Sequence, residues 1–289
     1  DDVSLINDKI VYCSISAFGQ DGPLSKRGAY DHVVQGMTGI MTTTGTKESG
    51  PTKVGAPYID YATGLNAAFA ITAALYETKQ NKKAIRLDVS MMDTSLLLMA
   101  NMVTEHLNSG WTPTPMGNEA QSGSPSSGMY NTKTDPILLA ANNDHQFFAL
   151  CNALNTISLF DKEKWELESY RQNNKEKLRE ELQSIFITQS AEYLENLLND
   201  FNVPASKIRT LPEVLSEEQF LERKLWNKIK IKSINKQYLV PSIGFKVNQN
   251  AVVPETPPPI LGGDTKSILN SIGINDDEID KLREQDIIN

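Results

Sequence analysis

Cysteine, histidine and long apolar runs are what this sequence has least of. Its 289 residues include two cysteines, Cys13 and Cys151. Both lie in apolar surroundings (VYCSIS and FALCNAL), so they read as buried thiols of a reducing compartment and not as a disulfide framework. The three histidines, His32, His106 and His145, lack metal-ligand spacing, so no metal site is expected. No apolar run reaches the ~20 residues of a membrane-spanning helix. Positive charge is in deficit, with 28 Lys and Arg against 36 Asp and Glu, a net charge of −8 and a pI near 5.1. Nucleic-acid binding needs a basic face, so that class of partner is not expected. A small anionic ligand is still open, because a few local cations or backbone N–H groups suffice. Phosphate-loop, GxSxG and HExxH patterns are missing too, which removes three common routes to catalysis.

What is present is an ordinary globular composition, 39% hydrophobic and 22% charged. The length suits one large domain or two ordinary ones. Residues 9–16 (KIVYCSIS) read as a buried strand after a short acidic lead, and residues 84–90 (AIRLDVS) as a second strand. Helical spacing is expected over 29–41, over an Ala-rich stretch from Asp60 to Gln80, and over a very apolar, buried 91–108. This alternation of strand and helix favours an α/β architecture. Residues 110–128 are rich in Gly, Ser and Pro and read as a linker and domain boundary.

Beyond it, residues 128–143 suggest a β-hairpin turning near Thr134–Pro136. Amphipathic helices follow over 144–155 and 161–201, and the charges of 161–183 are those of a solvated face. A helix over 212–225, strands at KIKIKSI (228–234) and YLVPSIGFKV (238–247), a Pro-rich stretch and a last helix over 264–272 complete the reading.

The carboxylate that stands out is Asp60. It sits at or beside the N-cap of the Ala-rich helix, a favoured place for Asp. On position alone, capping is its role. Tyr30 and Asp31 open the helix over 29–41, where an aromatic packing on the core and a favourable N-terminal charge are the plain readings. Arg27 and Lys26 are either anion contacts or solvated cations.

Read in order, IVYCSISAFGQDGP, RGAYDHVVQGMTGIMTTTG, VGAPYIDYATGLNAAFAITAAL and RLDVSMMDTSLL resemble family III CoA-transferases. So do GNEAQSGSPSSGMYNTKTDPILLAANNDHQFFALCNAL, NVPASKIRTLPEVL and PPPILGGDT. Each match alone is weak, and the ordered set covers nearly the whole chain. The group includes formyl-CoA, carnitine and succinyl-CoA transferases and the related α-methylacyl-CoA racemases.

The resemblance implies a Rossmann-like large domain plus a smaller inserted α+β domain, in a homodimer whose two chains interlock. Carried onto this chain, it implies a large domain over 1–116, an inserted domain over 117–215 and a return to the large domain over 216–289. Asp60 would be the nucleophile, with Tyr30, Asp31 and Arg27 as substrate contacts. CoA would be a substrate handle, with no permanently bound cofactor. Residues 122–128 (SGSPSSG) fall where some members carry a glycine loop over the intermediate; a plain linker is the other reading. The racemase branch has a His where this chain has Tyr30, 30 positions before Asp60, and Tyr titrates too high to replace it. His32, two helical positions on, is expected to point away. A βαβ region that the family carries before IVYCSIS, with many of the CoA contacts, is not in this sequence. A non-catalytic or split-enzyme CoA-binding subunit is therefore the alternative expectation. A cytoplasmic location is expected, with the mitochondrial matrix compatible.

Overall fold

A computed structural model of the chain describes residues 2–155, 165, 167–224, 226–231 and 235–288. They form a mixed α/β structure in two compact units, divided between Ile208 and Arg209.

The first unit opens with a short helix, α1 (Asp2–Ile6), and a strand, β1 (Val11–Ser16). β1 pairs in parallel with β2 (Ile85–Ser90), from Val11 opposite Ile85 to Ser16 opposite Ser90. Parallel strands need a long crossover. Here it comprises α2 (Asp31–Met37), a single 3-10 turn (Ile40–Thr42) and α3 (Tyr58–Asn81). The turn after β1 is tied to β2, because the Gln20 N–H donates to Asp88 Oδ2 at 2.7 Å. Gly19 and Gly22 supply the left-handed residues this turn requires.

Three expectations need correction in this region. β1 is not buried: every residue in it is half-buried or exposed, and among the described residues it pairs with β2 alone. The helix over 29–41 stops at Met37, since Gly39 adopts φ +83° and the chain resumes only as a 3-10 turn. The helix over 91–108 is two helices, α4 (Met91–Leu98) and α5 (Ala100–Ser109), broken at Met99 (φ −106°, ψ 23°). α4 is capped by the Ser90 hydroxyl, which accepts from the Asp93 N–H. α5 buries none of its residues, and Leu97, Leu98 and Leu107 are exposed.

From Gly110 to Ser126 there is no helix or strand. The segment is nonetheless fastened, with the Gly117 N–H donating to the Gly45 carbonyl at 2.7 Å. The expected hairpin is β3 (Ser127–Tyr130) against β4 (Ile137–Ala140), and β5 (Ala205–Lys207) adds antiparallel to β4. Among the described residues, four helices accompany this sheet: α6 (Asp144–Ala153), α7 (Glu168–Asn173), α8 (Lys175–Phe186) and α9 (Ala191–Asp200). In α8 the apolar residues recur one per turn, and Leu178, Leu182 and Phe186 are fully buried while Lys and Glu face water. They join Tyr130, Ile137, Leu139, Phe147, Leu150, Leu194 and Leu198 in one core. The helical expectation for 161–164 and 166 lies outside the described residues.

The second unit holds α10 (Leu211–Ser216), α11 (Glu218–Arg223), β6 (Trp226–Ile231) and β7 (Lys236–Pro241). β6 and β7 form an antiparallel pair, as do the short β8 (Lys246–Val247) and β9 (Asn250–Ala251). The expectations for residues 225 and 232–234 lie outside the described residues. α12 (Thr265–Ser271) matches the expected last helix, but α13 (Asp276–Glu284) follows it. α13 has a complete capping box between Asn275 and Glu278 and one buried anchor, Ile279. That N-x-x-E pattern was a readable signal. Among the described residues, no helix is long and apolar enough to cross a membrane.

Candidate active site

α3 begins with an unusual deficit. Its N-cap residue is Pro57, whose side chain cannot accept a hydrogen bond, so the first-turn N–H groups have no local cap. Asp60 does not fill that role. It is the third residue of the helix, and it is exposed. Among the described residues, no donor lies within hydrogen-bonding distance of its carboxylate.

The cap comes from another helix. Asp31, at the first turn of α2, is only 7% exposed. Its Oδ2 accepts the Ile59 N–H at 2.8 Å and the Asp60 N–H at 3.2 Å. Its Oδ1 accepts from Gln35 Nε2 at 2.5 Å. Gln35 is fully buried, and its Oε1 accepts the Val54 N–H at 2.9 Å. One carboxylate and one amide thus join α2, the end of the Thr/Gly loop over residues 42–55 and the first turn of α3. Hydrogen bonds to a buried carboxylate contribute about 1.5–3 kcal/mol each, so this junction is held firmly. The sequence offered no positional reason to single out Gln35; its i,i+4 spacing from Asp31 was the available signal.

Beneath the junction lies a small core of Ala17, Phe18, Val34, Ile59 and Met91, with Tyr58 packed against it. The Tyr58 hydroxyl is held above its ordinary pKa by burial first and by the neighbouring Asp31 charge second. Tyr58 is therefore neutral at physiological pH.

The other expected residues lie outside this network. Tyr30 is 77% exposed and does not pack on the core. It is the N-cap of α2 in extended conformation (φ −111°, ψ 166°). Its ring lies parallel to that of His32, with centroids 6.3 Å apart and planes 4° from parallel. The expectation that His32 points away from the site took Tyr30 as helical, and Tyr30 is instead the extended N-cap. Arg27 and Lys26 are exposed.

The stretch at 122–128 is laced to the end of β4. Ser122 Oγ donates to Asn142 Oδ1, and Ser124 and Ser126 both donate to the Ala141 carbonyl at 2.8 Å. Among the described residues, no group of three or more His, Cys, Asp or Glu could hold a metal ion. Cys151 is buried as expected, whereas Cys13 is half-buried.

The arrangement offers an exposed, unpartnered carboxylate on a backbone that is rigidly held from below. Such a group can act as a nucleophile toward an activated carbonyl.

A family model for CoA-transferase family III matches residues 1–265. The chain is 31% identical over 221 residues to a succinate–glutarate CoA-transferase of Agrobacterium fabrum, covering 76% of this chain and 55% of that one. It is 28% identical to a human succinyl-CoA:glutarate CoA-transferase, covering 96% and 63%. An acetyl-CoA:oxalate CoA-transferase of Acetobacter aceti is also 28% identical, over 78% of this chain and 58% of that one. The chain therefore spans 55% to 63% of the length of these relatives. Among solved structures, a CAIB/BAIF family protein from Brucella suis superposes with a TM-score of 0.77 at 28% identity, over 93% of this chain and 70% of that one.

Proposed function

Because the chain belongs to CoA-transferase family III, we propose that it moves CoA between carboxylic acids, with Asp60 as the covalent nucleophile. The observation that carries this reading is the contrast between two neighbouring carboxylates. Asp31 has both oxygens occupied, while Asp60 is exposed and unpartnered among the described residues.

The chemistry balances without a metal, a redox partner or a net proton. An Asp60 carboxylate oxygen attacks the thioester carbonyl of an acyl-CoA, the C–S bond breaks, and CoA leaves as thiolate. The product is a mixed acyl-aspartyl anhydride. The thiolate then attacks the Asp60 carbonyl and expels the donor as a free carboxylate, leaving an aspartyl-CoA thioester. An acceptor carboxylate attacks this thioester and the two steps run in reverse, restoring Asp60. One difficult exchange becomes a series of easier ones.

The exposed Tyr30 ring supplies a wall for the acyl group, and Arg27 a cation for CoA phosphate. The acceptor is a dicarboxylate, in line with the glutarate and oxalate named for the relatives. In this reading the protein is a homodimer of interlocked chains that holds no permanent cofactor and works in the cytoplasm or mitochondrial matrix. Residues 117–215 form an inserted domain within a Rossmann-like one. A second reading is a CoA-binding subunit that does not itself carry the acyl group.

Trapping separates the two. The chain is incubated with succinyl-CoA, quenched with hydroxylamine and mapped by peptide mass spectrometry. A hydroxamate on Asp60 is expected. A folded sample that binds CoA yet gives no adduct would sink the transferase reading and leave the binding subunit.

A further inference from the structure

The hydrogen bonds around Asp31 have a fixed donor and acceptor order, and that order is a testable device. Asp31 receives the Ile59 and Asp60 N–H groups on one oxygen and the Gln35 amide N–H on the other. Gln35 is thereby oriented with its carbonyl oxygen toward the Val54 N–H. Each donor meets one acceptor, and each acceptor belongs to a residue that is at most 7% exposed. At the buried bonds from Gln35 and Ile59 water cannot readily replace a lost partner, so reversing one group leaves a donor facing a donor.

We propose that Asp31 and Gln35 are positioning residues for Asp60: a buried relay that sets the first turn of α3, and with it the attack angle of the nucleophile. This rests on the reading of Asp60 as nucleophile, and it reassigns Asp31 from substrate contact to support. The local sequence cannot set that turn alone, because Pro57 provides no cap. The relay also reaches the Thr/Gly loop through Val54, so the loop and the nucleophile are held by the same two side chains. Near-attack geometry is sensitive to displacements of about 1 Å, which is the scale a lost cap allows.

The order of donors predicts an unusual pattern of rescue. Asp31→Asn keeps the shape but turns one acceptor into a donor, which then faces the Gln35 amide N–H. If Gln35 flips, its amide faces the Val54 N–H instead, so one clash persists either way. Gln35→Glu alone places two carboxylates 2.5 Å apart, where both cannot ionise. The double variant Asp31→Asn with Gln35→Glu restores every pair. The Asn carbonyl accepts from Ile59 and Asp60, its amide donates to Glu, and the second Glu oxygen accepts from Val54.

The test measures the rate of Asp60 hydroxamate formation from succinyl-CoA, CoA affinity by calorimetry, and amide exchange at Val54, Ile59 and Asp60. Each single variant is expected to slow adduct formation roughly 10- to 100-fold, with CoA affinity within about twofold. Amide exchange at the three positions accelerates in parallel. The double variant returns the adduct rate to within about threefold of the unaltered chain. Single variants with unaltered rates, or a double variant no better than either single, overturn the relay. If a single variant fails to fold, the double decides: a folded, adduct-forming double supports the relay, and an unfolded one removes it. An unaltered chain that gives no adduct removes the transferase reading itself, which distinguishes that failure from failure of the relay.

Discussion

The region around β3, β4 and β5 closes on itself, whereas the region that carries Asp60 does not. In the first, α8 and α9 bury Leu178, Leu182, Phe186, Leu194 and Leu198 completely in one core. In the second, α3 leaves Tyr61, Leu65, Phe69 and Tyr76 exposed, and its anchoring core is five buried residues. The two regions have similarly regular helices, so the difference lies in what the helices meet. Burial, not helix formation, separates the self-sufficient part of the molecule from the chemically interesting part.

The strongest way to break this comparison is a pair of truncations. Leu182→Ala should cost about 2–5 kcal/mol, since the side chain is fully buried. Phe69→Ala should leave stability within about 0.5 kcal/mol, because Phe69 is exposed and Ala is the better helix former. Urea unfolding midpoints report both. A cost above about 2 kcal/mol at Phe69 would mean that this face is covered in solution.

Next comes pH. Burial pushes the Tyr130 phenol up to about 12, with Glu119 adding to the rise and Arg179 opposing it. A phenol raised in the folded state stabilises the fold fully below its unfolded pKa near 10 and loses that contribution as pH climbs toward 12. Stability should therefore fall by about 1.4 kcal/mol per pH unit across that window, and Tyr130→Phe should flatten the slope. An unchanged slope in the variant would show that Tyr130 is not the titrating group.

A smaller effect is expected at Gly128, which adopts φ +128°. A Cβ there would lie 3.1 Å from the Asn118 carbonyl oxygen and 3.2 Å from Arg179 Nη1. Gly128→Ala should cost about 1–3 kcal/mol in a thermal melt. The smallest test equalises the two regions. Ser90→Ala removes the cap of α4 and Ser190→Ala that of α9, and each should cost about 1 kcal/mol. Unequal costs would place part of the contrast in the helix ends themselves.

How much could be read in the sequence follows the same division. The face of α8 was legible because Leu178, Leu182 and Phe186 find their partners within the chain. The strands β1 and β2 and the hairpin of β3 with β4 were legible from β-branched runs and turn residues. Burial of β1 and α5 was misjudged, because apolar residues signal a face that can be covered and not what covers it. The break at Met99 carries no Gly or Pro to announce it. Asp60 drew notice by its place before the Ala-rich helix and by the order of the surrounding motifs. Its support did not, because the cap comes from Asp31, 29 positions earlier, and such distant pairings leave no local trace.

The bond from the Gln20 N–H to Asp88 spans 68 positions, whereas the one from Ser126 to the Ala141 carbonyl spans 15. Closing the longer loop costs about 1.3 kcal/mol more in chain entropy. In time, then, the local β3–β4 hairpin should form before the parallel pair beneath Asp60. Pulse-labelled hydrogen exchange during refolding should protect β4 before β2; simultaneous protection would remove the ordering. Asp60, the proposed nucleophile, would thus reach its place after that hairpin is built.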